Sequence, residues 1–133
     1  MNTANELPIL GLEPHIKGYG MEAFTLEVFD VDDELNTRLP ADLTDAIISL
    51  KVFTATNKLA FEFKTGYGLT STTAPIELSG ENLIVFPEIP VLDLPVSVYN
   101  VILSIEQNGF KRPYAVDVWP VVLTETEKYC CNG

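Results

Sequence analysis

Histidine, cysteine and positive charge are all scarce in this chain. It has one histidine, His15, and two cysteines, Cys130 and Cys131, side by side near the end. Adjacent cysteines pair with each other only under strain, and they staple no long loop. With no second Cys pair and no His pair, zinc-finger spacing is excluded. The expectation is free thiols and a reducing site of synthesis. A Ser-His-Asp triad would have to recruit His15, which lies in a Gly/Pro-rich stretch expected to be an arm rather than a strand, and no nucleophile-elbow motif accompanies it. Gly-rich phosphate loops of the common types are absent too. The expectation is therefore no catalytic, cofactor-binding or metal-binding residue, no cofactor, and no enzyme activity.

Cations number 8 against 19 acids, for a net charge of −11. Such a surface repels nucleic-acid phosphates and anionic headgroups. The densest basic spot, Lys111-Arg112, is too small for a nucleic-acid footprint. Neither nucleic acid nor membrane is an expected partner. The first residues, Met1-Asn2-Thr3-Ala4-Asn5-Glu6, lack the basic and apolar regions of a secretory signal. Long apolar runs are missing, so no membrane-spanning helix is expected.

What is present is a core. The 133 residues are 47% hydrophobic and 20% charged, as in ordinary globular domains. One domain of this size buries roughly 68% of its unfolded surface. Three segments are expected: an arm over 1–21, a sandwich over 22–122, and a tail over 123–133. In the tail, Thr124-Glu125-Thr126-Glu127 fits a capping box for a helical turn.

Alternation of period two runs through several stretches. Glu22 to Asp30 points Phe24, Leu26 and Val28 inward. Asp42-Leu43-Thr44-Asp45-Ala46 is a polar turn feeding a strand in which Ala46, Ile48, Leu50 and Val52 share one face. Lys58 to Lys64 turns Leu59, Phe61 and Phe63 in. Ser97 to Glu106 turns Tyr99, Val101, Leu103 and Ile105 in. Asn108-Gly109 then marks a two-residue hairpin turn, because both positions tolerate positive φ, and Phe110 to Trp119 returns. Ile76 to Leu78 and Leu83 to Phe86 flank a second turn. Three prolines between Pro87 and Pro95 make that stretch a crossing rather than a central strand. Val31 to Pro40 reads as a solvated loop and Thr65 to Ala74 as a flexible tip. About seven short strands with frequent turns predict an all-β, antiparallel, immunoglobulin-like sandwich.

Two clusters bear on ligands. Asp30, Asp32, Asp33 and Glu34 form the densest carboxylate group. EF-hand spacing fails, because Leu35 stands sixth from Asp30 and Ala41 twelfth. A solvated tip is expected. Trp119, Tyr114, Tyr99 and Tyr67 would suit a glycan-stacking face if they shared one. Tyr99 falls on an inward face, and Trp119 ends a strand beside Pro120.

Residues 22–122 resemble a small β-sandwich domain of structural proteins in tailed bacteriophages and prophages. The domain is similar to the amino-terminal domain of baseplate upper proteins. The family pattern has a strand ending Val-x-Asp, here Val28-Phe29-Asp30. An Asp-Leu-Thr-x-Ala turn follows, here Asp42 to Ala46. A Leu-Pro-x-Gly-x-Tyr segment opens the penultimate strand, here Leu94-Pro95-Val96-Ser97-Val98-Tyr99, with Ser97 where the family commonly has Gly. The resemblance implies a non-enzymatic structural or adaptor part of a virion, made in the host cytoplasm. It would contact other virion proteins and act as a homo-oligomer or in repeated copies. A carbohydrate-binding or adhesive sandwich module is the alternative.

Overall fold

A computed structural model describes residues 10–32 and 37–123. Asp33 and Glu34, the Thr124 to Glu127 capping box and both cysteines lie outside the described residues. So do the side chains of Asp30 and Asp32. Ten strands succeed one another: β1 (His15–Ile16), β2 (Phe24–Glu27), β3 (Phe29–Asp32), β4 (Thr37–Pro40), β5 (Ile47–Phe53), β6 (Leu59–Thr65), β7 (Thr73–Ser79), β8 (Leu83–Phe86), β9 (Ser97–Gln107) and β10 (Phe110–Val122). The fold is all-β. Eight strands form one sheet in the order β1-β10-β9-β5-β6-β7-β8-β2, and β3 pairs with β4 apart from it.

The sheet is mixed rather than purely antiparallel. β1 runs parallel to β10, and β6 parallel to β7. The second pairing sets Glu62 opposite Thr73, so the chain after Thr65 need only return by three residues, roughly 10 Å. The loop at 66–72 is long enough for that. It is not a flexible tip: Thr70 and Thr73 bond through their hydroxyls at 2.7 Å, and Thr73 Oγ1 donates to Gly68 O at 2.9 Å. Thr73 and Ala74 already belong to β7, because β-branched Thr suits a strand and Ala74 is fully buried.

β7 is where the sheet turns over. Its first half pairs with β6 and its second half with β8. The sheet curls there, and inward side chains from its two ends meet. The rings of Phe63 in β6 and Phe86 in β8 stand 5.5 Å apart, nearly perpendicular, although the strands are not neighbours. Phe24, paired across from Phe86, stacks on it at 4.3 Å, a cross-strand aromatic pair.

Ten of the expected core residues are buried: Val28, Ile48, Leu50, Val52, Phe61, Phe63, Tyr99, Val101, Leu103 and Ile105. Phe24 and Leu26 are only half-buried. Leu59 is half-exposed, against expectation. A bulge between Val52 and Phe53 shifts the β5–β6 register, so Leu59 falls opposite Phe53 and out of the alternation that holds Phe61 and Phe63.

The stretch from Glu22 to Asp30 is not one strand. It breaks at Val28, whose carbonyl receives Ala41 N and Asn82 Nδ2, while its own amide donates to Asn82 O. Before the break the chain pairs with β8; after it, with β4. The expected solvated loop thus contains a short hairpin. Polarity argues for exposure but does not prevent backbone pairing.

Residues 10–21 do not stand off the sheet. Leu10 N donates to Val116 O, and Lys17 N to Val122 O. Residues 18–21 zip against 89–92 through four backbone bonds of 2.8–3.1 Å. Gly20 permits this approach, since a Cβ there would sit 2.7 Å from Pro90 O. Both turn residues Asn108 and Gly109 have positive φ, as the hairpin requires.

Candidate functional site

The Asp42 to Ala46 turn is a structural anchor. Asp42 Oδ1 accepts from Thr44 N at 3.1 Å and from Thr44 Oγ1 at 2.6 Å. These bonds favour the charged carboxylate and hold its pKa below the usual aspartate range, the hydroxyl bond being the larger cause. Asp45 adopts positive φ. Leu43 drops into the core, and Gln107 Nε2 donates to the carbonyls of Asp42 and Thr44. The turn is thereby tied to the last residue of β9, next to the Asn108-Gly109 end of the β9–β10 hairpin.

His15 is buried in β1, not an arm or surface residue. Its Nε2 lies 3.1 Å from Leu92 O, and its ring centroid is 5.8 Å from that of Trp119. A carbonyl only accepts, so Nε2 carries the proton of that bond. Trp119 Nε1 donates to Glu13 O at 2.7 Å, and Leu12 N to Asp117 Oδ2 at 2.6 Å. Asp117 lies on the inward side of β10, so an acidic side chain there needs this donor. His15, Trp119 and Asp117 together clamp residues 12–15 onto the sheet edge.

The four aromatics do not gather on one exposed face. Trp119 and Tyr99 are buried, Tyr114 is half-buried, and Tyr67 lies in the loop after β6 with Lys64 over its ring. Among the described residues, no three His, Cys, Asp or Glu side chains gather to hold a metal. No helix occurs among those residues, and so none long and apolar enough to cross a membrane.

Two surface features remain. The first is a cleft of about 650 Å³ between the clamped segment and β2, floored by Leu50, Phe86 and Trp119. Phe24 and Leu26 line it, which is why they are only half-buried. It lies beside β2, where the curled sheet ends. Glu13 and Glu22, both exposed, are among its lining residues, and no Lys or Arg is.

The second is the outer face of β9 and β10. Val98 pairs with Pro120, Val118 with Asn100, and Ile102 with Val116. Val98 is 53% exposed and Val118 57%. One-sided antiparallel sheets ordinarily place polar residues there. Comparison with protein-family models, with curated proteins and with solved structures finds no match for this chain. The cleft had no local sequence signal. The outer stripe had one, since Val116, Val118 and Pro120 are apolar at the positions that alternate with the inward Ala115, Asp117 and Trp119.

Proposed function

We propose that the chain is a non-enzymatic structural or adaptor component of a bacteriophage or prophage virion, folded as an immunoglobulin-like sandwich and used in repeated copies. The carrying observation is the apolar outer stripe of β9 and β10, with Val98 and Val118 at its centre. Contiguous exposed apolar surface marks an interaction site. An acidic subunit that stays soluble before assembly and then covers such a stripe against a neighbouring virion protein fits this arrangement. The virion assignment itself rests on the resemblance at Val28 to Asp30, Asp42 to Ala46 and Leu94 to Tyr99.

The immunoglobulin-like reading is supported by the curl at β7, which faces β1-β10-β9-β5-β6 with β2-β8-β7. It is supported further by Tyr99, whose hydroxyl donates to Pro95 O at the start of β9, the arrangement of a tyrosine corner.

The test is incorporation. Particles assembled in the presence of wild-type chain should contain it, and particles assembled with the Val98→Asp, Val118→Asp variant should not, while the variant melts like wild type. Particles that contain neither form would overturn the proposal. Equal incorporation of both would overturn the role of the stripe.

A further inference from the structure

The acid-lined cleft has a complement elsewhere on the same chain. The β9–β10 hairpin ends in Asn108-Gly109, and the next three residues are Phe110, Lys111 and Arg112, all exposed. Phe110 is 69% exposed, the most exposed large hydrophobic side chain described. Lys111 and Arg112 make no ion pair among the described residues, where the one salt bridge is Lys17 to Asp93. An aromatic side chain followed by two cations thus projects from a molecule of net charge −11.

We propose that this tip docks into the cleft of a second copy. Phe110 enters the apolar floor formed by Leu50, Phe86 and Trp119, and Lys111 and Arg112 meet Glu13 and Glu22 at the rim. The cleft has carboxylates and no cation, while the tip has two cations and one carboxylate, Glu106, which stands opposite Lys111 across the hairpin and leaves Arg112, opposite Ile105, without a facing acid. One chain cannot satisfy itself. Phe110 and Trp119 lie nine residues apart along β10, roughly 30 Å in an extended strand. The contact is therefore between copies and joins unlike surfaces. Such a head-to-tail contact propagates, giving a ring if the rotation closes and a filament if it does not. It uses neither Val98 nor Val118, so it stands or falls independently of the virion proposal.

Purified protein tests it, by sedimentation velocity over a concentration series at low salt. Wild type should self-associate, and added salt should weaken association, because the rim contacts are solvent-exposed charges. The tip variant Lys111→Glu, Arg112→Glu and the cleft variant Glu13→Lys, Glu22→Lys should each associate at least tenfold more weakly. Their equimolar mixture should recover association, since each reversed surface then finds its complement on the other variant. Recovery also shows that both variants are folded. The control Lys58→Glu, in the exposed turn before β6, should behave as wild type. Wild type that remains monomeric throughout, single variants that associate as wild type does, or a mixture that fails to recover would each overturn the proposal.

Discussion

The Tyr99 hydroxyl donates to the Pro95 carbonyl, four residues upstream, at 2.6 Å. The ring is buried while its oxygen reaches back to the proline-rich crossing segment. One side chain thus supplies core volume and sets where the crossing ends and β9 begins. Removing the hydroxyl in Tyr99→Phe leaves the Pro95 carbonyl without that donor. The variant should lose about 1–2 kcal/mol in urea unfolding, with little change in the denaturant slope.

Tyr99 also predicts a response to base. Burial disfavours the phenolate and pushes its pKa up, partly countered by the charge of Lys17. Its pKa is therefore higher folded than unfolded. The neutral phenol's contribution to stability is complete below the unfolded tyrosine value, about 10, and is lost as pH rises through the folded value. Stability should fall above about pH 10, and less steeply in Tyr99→Phe. Unfolding midpoints collected from pH 8 to 11 check this.

Asp42 predicts the opposite sign. The Thr44 bonds lower its pKa, so its contribution is present at neutral pH and is lost as acid titrates the folded carboxylate. An NMR titration should place Asp42 below ordinary aspartates. Thr44→Val, which removes the hydroxyl and keeps the backbone donor, should move it back up.

Gly20→Ala should strain the zipper between residues 18–21 and 89–92. Its Cβ would meet the backbone carbonyls of Pro90 and Ile89, at 2.7 and 3.0 Å. Neither is a flexible side chain that swings aside. A cost of about 1–3 kcal/mol is expected, with faster amide exchange at Met21 and Leu92, which donate in this zipper. For comparison, Leu103→Ala in the fully buried centre of β9 should cost about 2–5 kcal/mol.

These residues also show how far the sequence could be read. Ile48 to Val52 and Tyr99 to Ile105 were legible because alternation is set by each strand's own residues. Asn108-Gly109 was legible because positive φ is a local property. β1 was not: His15 and Ile16 are strand only through pairing with Val121 and Val122, more than a hundred positions away. Leu59 failed for a related reason, since the bulge that displaces it is a property of two strands together. The parallel β6–β7 pairing and the break at Val28 depend on where the sheet turns over. Half of the proposed self-docking site was visible as Lys111-Arg112. The cleft was not, because Phe24 and Leu26 look like any inward pair until the sheet is seen to stop short beside them.

Whether this chain is, as proposed, a repeated structural part of a virion is decided by quantitative mass spectrometry of purified phage particles released by cells that carry its gene. The expected result is several copies per particle, in fixed ratio to the other structural proteins across preparations. Its absence from infectious particles, or trace amounts that vary between preparations, would contradict it.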